Sequence, residues 1–135
     1  MGAPTINDVV AKRTAMRVRM RELAGQFLQR CLVDMGSSRD LITRLRGGDA
    51  GAFKELERVA HRISGTGASF GFATLSTGAG CIERLAQGQS GSSTPDQEST
   101  ARLAERINGL EQEIRGLVTA GDEERRVANQ ADRLG

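Results

Sequence analysis

Residues 47–71 read GGDAGAFKELERVAHRISGTGASFG, and the spacing of the apolar positions in this stretch decides the fold. Gly47-Gly48 end the helical pattern before them, and Asp49 suits an N-cap for the next helix. From there Ala52, Phe53, Leu56, Val59, Ala60, Ile63, Gly67 and Phe70 recur at helical spacing up to Gly71. If Leu56, Val59, Ile63, Gly67 and Phe70 point inward, then Lys54, Arg58, His61, Gly65 and Ala68 form the outward stripe. His61 is the only histidine of the chain, and this reading presents it to solvent.

Working outward, the same periodicity recurs on both sides. Upstream, Thr5 starts a short helix over about 5–15, and Met16, Met20, Leu23, Phe27, Cys31 and Met35 mark a long one that continues through Leu41, Ile42 and Leu45. Gly36-Ser37-Ser38 is expected to bend or interrupt it, because glycine and serine are poor in helix interiors. Downstream, Leu75, Ala79, Ile82, Leu85 and Ala86 place a helix between Phe72 and Ala86 that stops near Gly88. Thr94-Pro95 opens a last helix over about 95–120, with Leu103, Ile107, Leu110, Ile114 and Leu117 as its seam. No alternating strand pattern competes. The expected fold is all-α, an antiparallel four-helix bundle with an additional short N-terminal helix. Residues 1–120 form the bundle, and 121–135 are a polar C-terminal tail, either a helix extension or disordered.

Composition narrows the function classes. At 135 residues one core suffices, and the four aromatics are all Phe, so Leu, Ile, Val, Met and Ala must fill it. Residues 1–48 carry nine basic against four acidic side chains, and residues 49–135 ten against thirteen. Much of the basic excess lies in Lys12, Arg13, Arg17, Arg19 and Arg21, read as a solvated helix face. No interleaved aromatic or zinc spacing supports nucleic-acid binding. Cys31 and Cys81 form no metal-ligand pattern, so both are expected buried and reduced, and no metal site is expected. No apolar run approaches a membrane span, and Met1-Gly2-Ala3-Pro4 does not resemble a leader; the expectation is a cytoplasmic protein.

The chemistry expected of the helix that carries His61 is nucleophilic. Imidazole in general titrates near pH 6.5, so a large fraction is neutral and nucleophilic at cytoplasmic pH. One and two turns beyond His61 stand Gly65 and Ala68, which leave the ring open to a docking partner, and Arg58 sits one turn before it. Phosphoryl transfer depends mostly on positioning and charge neutralisation, so an exposed helix face can suffice when the partner brings the acidic site.

The segment resembles the histidine phosphotransfer (HPt) family of multistep two-component phosphorelays. That signature is a histidine, a lysine and a glycine one turn later, then small residues and another glycine; here it reads His61, Gly65, Thr66-Gly67-Ala68-Ser69 and Gly71. The likeness extends over about residues 16–120. It implies that His61 is the phosphoacceptor, taking a phosphoryl group from a receiver-domain phospho-aspartate and relaying it to another receiver. The chain would be a carrier without autonomous kinase activity and without a cofactor of its own, Mg²⁺ being expected on the partner receiver. Lys54, Arg58, Arg62, Ser64, Gly65 and Ala68 would be the supporting or docking face. Where the family usually has lysine, this chain has Ser64. Arg58 can supply that charge from the other side of His61, while Arg62 points about 100° away.

The expected partners are response-regulator receivers, or a hybrid sensor kinase carrying one, with no nucleic acid, no membrane and a monomeric chain. The alternative reading is a non-phosphorylated binding module that regulates a receiver or sensor kinase. A phosphatase or a kinase dimerisation domain is a weaker third, and no nucleotide-binding glycine motif supports kinase activity.

Overall fold

A capping box starts the first helix. In the computed structural model, which describes residues 2–134, the Thr5 hydroxyl accepts from the Asp8 N–H and the Asp8 carboxylate accepts from the Thr5 N–H, both at 3.2 Å. Met1 of the N-terminal stretch and Gly135 of the tail lie outside the described residues. Helix α1 then runs unbroken from Ile6 to Arg46. The separate short helix expected over 5–15 is thus the first part of α1. Nothing between Ile6 and Met16 can end a helix, since the segment has neither glycine nor proline.

Gly36-Ser37-Ser38 does not interrupt α1 either. The Ser38 hydroxyl donates to the Asp34 carbonyl of the same helix at 2.8 Å, and Cys31, Met35, Leu41 and Ile42 are buried on either side. Burying each such side chain stabilises by about 1.5–3 kcal/mol, which outweighs the roughly 1 kcal/mol that a glycine costs in a helix.

Helix α2 spans Ala52–Ser69 and α3 spans Ala73–Gln89. The turns that precede them are built alike. Gly48 and Gly71 adopt the left-handed conformation, with φ of 95° and 81°. The following residues, Asp49 and Phe72, donate back to the Arg44 and Gly67 carbonyls at 2.9 Å, the pattern of a Schellman cap. Asp49 is not the N-cap of α2, which Gly51 occupies; its carboxylate accepts from the Gly51 N–H and pairs with Arg44. Helix α4 spans Gln97–Leu134. Asp96, rather than Thr94, caps it, accepting from the N–H and hydroxyl of Ser99.

The four helices pack as a ring, α1 on α2, α2 on α3, α3 on α4 and α4 on α1. Phe53, Leu56, Ile63, Leu75, Leu103, Ile107 and Ile114 fill the centre with Met35 and Leu45. The all-α four-helix bundle expected from periodicity is the observed fold, and no strand occurs among the described residues. The helices are unequal: α1 and α4 have 41 and 38 residues, α2 and α3 have 18 and 17. The α2–α3 turn closes on α1 through Phe27, whose ring lies 5.4 Å from Phe70 and 6.3 Å from Phe72. Beyond that level α1 and α4 continue side by side without α2 and α3, and residues 121–134 of the tail are the end of α4.

Candidate functional site

The inward stripe of α2 fixes the rotation of the helix. Leu56, Ala60, Ile63 and Gly67 are buried, and His61 is therefore carried outward with 76% of its side chain exposed. Nδ1 of His61 lies 2.7 Å from Oε1 of Glu83 on α3. An ionised carboxylate can only accept, so Nδ1 carries the proton and donates it, and the neutral ring keeps its lone pair on Nε2. The contact thus selects a tautomer as well as a ring orientation.

Close packing of α2 on α3 brings Glu83 to this position. A Cβ on Gly67 would stand 2.9 Å from the Leu75 side chain, so only glycine lets the helices approach this far without a shift. Ser64 and Ser76 then bridge them reciprocally: the Ser64 hydroxyl donates to the Ser76 carbonyl at 3.1 Å, and the Ser76 hydroxyl donates to the Ser64 carbonyl at 2.7 Å. Ser64, expected on the outward docking face, is instead half-buried in the α2–α3 seam. The cause is the rotation of α2, which turns the residue three after His61 towards α3.

The same seam carries a cation that sequence reasoning missed. The direction in which a Cβ would project from Gly80 points to within 3.7 Å of the Ser64 hydroxyl and 3.4 Å of Nη1 of Arg84. Arg84 folds back over its own preceding turn into this space, with Nη2 donating to Cys81 Sγ at 3.4 Å. Arg84 of α3 and Ser64 of α2 thus border the same space over Gly80. No local spacing announces either Glu83 or Arg84, because both reach the site only through helix packing.

The remaining residues of the expected face divide into two groups. Lys54, Arg58, Gly65 and Ala68 are exposed on the His61 side of α2, and nothing lies within 4 Å of where a Gly65 Cβ would be. Lys54 and Arg58 take part in no ion pair among the described residues. Arg62 is differently employed: it reaches across to α1 and donates to the buried Asp34 carboxylate at 3.0 Å. It holds α2 on α1, a structural role that its direction away from His61 suits.

Neither cysteine belongs to this site. Burial pushes the Cys31 thiol up to about 12, with Asp34 adding to the shift and Arg62 opposing it. Cys81 is half-buried rather than buried, and both thiols are free. Among the described residues no three His, Cys, Asp or Glu side chains converge as metal ligands.

With this geometry in hand, comparison with protein-family models matches the Hpt domain to residues 22–117, which take in His61, all of α2 and α3, and most of the α1/α4 core. The chain belongs to the Hpt domain family. Hpt domains are histidine phosphotransfer modules of two-component systems, phosphocarriers that interact with receiver domains. Curated protein sequences and solved structures gave no match. Among its described residues this Hpt domain has no helix long and apolar enough to cross a membrane. The match ends at Leu117, so the first turns of α1 and the last of α4 lie outside the part shared with the family.

Proposed function

We propose that His61 accepts a phosphoryl group from the phospho-aspartate of a receiver domain and relays it to a second receiver, in the cytoplasm. The observation that carries this reading is the pairing of His61 Nδ1 with Glu83 at 2.7 Å on an otherwise open face. The Nε2 lone pair attacks phosphorus as the bond from phosphorus to the aspartate oxygen breaks. The electron pair leaves with the aspartate carboxylate, and the proton on Nδ1 stays in its hydrogen bond to Glu83. As the ring becomes positive on phosphorylation, the adjacent carboxylate stabilises it. A magnesium ion held by the receiver would neutralise phosphoryl oxygens from the other side.

On this chain the balancing charge comes from two helices. Arg58 is one turn before His61 on α2, and Arg84, the residue after Glu83 on α3, borders the space over Gly80 that Ser64 also faces. Ser64 itself brings no charge, and a guanidinium from either residue presents a fork suited to phosphoryl oxygens.

The test is incubation of the whole chain with a phosphorylated receiver. Wild type should become an acid-labile, alkali-stable phosphoprotein and His61→Gln should not, while Arg58→Ala and Arg84→Ala should each accept more slowly. Label retained in His61→Gln would overturn the assignment. A chain that binds and regulates the receiver equally well with and without His61 would instead be the binding module, a reading favoured by the uncharged side chain of Ser64.

A further inference from the structure

Beyond the Phe27, Phe70 and Phe72 cluster α2 and α3 stop, and the start of α1 and the end of α4 continue as a pair. Met16, Met20, Leu23, Phe27 and Cys31 form one row along α1, at spacings of four, three, four and four. Phe70 stacks on Phe27 and Cys31 is fully buried, but Met16 and Met20 are 68% and 45% exposed. The row is the bundle's own seam, left uncovered where α2 no longer runs beside it. An apolar groove of about 320 Å³ lies in the corner where α2 and α3 end, lined by Met20, Ala24, Leu28, Phe70, Phe72 and Leu117. Met20 and Arg21 border both this groove and a shallower hollow completed by Arg13, Met16 and Arg17, which has no carboxylate on its wall.

We infer that this surface binds an amphipathic helix of a partner protein, laid along the α1 row in line with α2, with its apolar face on Met16 and Met20 and carboxylates along its flank. Charge sets the sign of the partner. Lys12, Arg13, Arg17, Arg19 and Arg21 make no ion pair among the described residues. The acids of the two helix ends do not offset them. Asp8 is held in the capping box, and Glu22 points about 100° or more away from Met16, Met20 and Leu23 around α1. Asp122 and Glu123 pair with Arg125 and Arg126 of their own helix, and Asp132 pairs with none of the α1 cations. Glu124 shares a surface with Arg21, which leaves Arg13 and Arg17, four residues apart, as uncompensated cations beside the two methionines. Carboxylates at the same helical spacing on a partner meet both.

Shape sets the class of partner. Methionine side chains are flexible and adapt to an apolar face laid on them. The uncovered stretch of α1 from Ile6 to Gly25 is about 30 Å long, which matches a helix of about 20 residues. A lipid bilayer is too broad to enter the corner that holds the groove. Nucleic acid gains nothing from the methionine row, and no aromatic ring precedes Phe27 on which a base could stack. The stretch before Glu22 lies outside the family match, and the inference does not depend on the chemistry of His61.

The test is the fluorescence anisotropy of two labelled synthetic helices, each of about 20 residues, titrated with the whole chain. Both carry a leucine seam; one is flanked by glutamates, and the other has lysine at every glutamate position. The glutamate helix should bind, more weakly as salt is added, and the lysine helix should not. The double variant Arg13→Glu/Arg17→Glu, with unchanged helical circular dichroism, should bind the glutamate helix about tenfold more weakly and the lysine helix more tightly than wild type does. Met16→Gln/Met20→Gln should also weaken the glutamate helix, since it leaves the charges in place and removes the apolar seam. A glutamate helix that does not bind, equal binding of the two helices, or undiminished binding in either double variant would overturn the inference. So would a chain that binds phosphatidylglycerol vesicles through Arg13 and Arg17 more tightly than it binds the glutamate helix.

Discussion

At the scale of single residues, the Glu83 contact makes a prediction that distinguishes orientation from charge. Glu83→Gln keeps a carbonyl oxygen able to accept from His61 Nδ1, whereas Glu83→Ala leaves the ring free to rotate and to exchange tautomers. A hydrogen bond of this kind has a net worth of about 0.5–1.5 kcal/mol, so the alanine variant should accept phosphate about two- to tenfold more slowly. The glutamine variant should stay closer to wild type, with the difference arising from the lost stabilisation of the charged phosphorylated ring. Single-turnover transfer from a phosphorylated receiver measures both, and equal rates for wild type and Glu83→Ala would show that the contact plays no part in positioning.

For the elements, the informative position is Gly65 on α2. No atom lies within 4 Å of the Cβ it lacks, and the helix there needs no special backbone conformation. On helix propensity alone Gly65→Ala should stabilise the domain by up to about 1 kcal/mol. Yet the new methyl would stand on the face that His61 presents, one turn away. The expected result is a higher melting temperature together with slower phosphotransfer. If the variant is stabilised and transfers at the wild-type rate, the open surface beside His61 is not where a receiver docks. Gly67, only two residues further along, should behave oppositely, because its missing side chain is what lets Leu75 of α3 pack against α2.

Over the whole molecule, α1 and α4 are tied by an ion network as well as by the core. Glu111 on α4 is buried and accepts from Arg39 of α1 and from Arg115 of its own helix. The Arg39 hydrogen bond holds the Glu111 carboxyl below its ordinary value of 4.5, against the opposing effect of desolvation. A carboxyl depressed in the folded state contributes stability that is fully present above pH 4.5 and is lost as pH falls through the lower folded value. Glu111→Gln should therefore melt below wild type at neutral pH, and the gap should close on acidification below pH 4.5. Thermal melts across that range measure it; a gap that persists in strong acid would mean that Glu111 acts through packing rather than charge.

Periodicity alone determined that the chain is helical, that its core is aliphatic, and that His61 faces away from the buried stripe of its helix. Those properties follow from the 3.6-residue repeat, which is local and visible in Leu56, Ile63, Leu103, Ile107 and Ile114. Helix ends were less legible. Asp49 and Thr94 are good capping residues, but Gly51 and Asp96 took the positions, and the core on either side of Gly36-Ser37-Ser38 carried α1 through a segment that local preference would break. Only the tertiary structure decided what surrounds His61. Ser64 turned into the seam, Arg62 went to Asp34, and Glu83 and Arg84 arrived from another helix. Helix rotation and the close approach permitted by Gly67 set those contacts between residues far apart in sequence, and no local repeat encodes them.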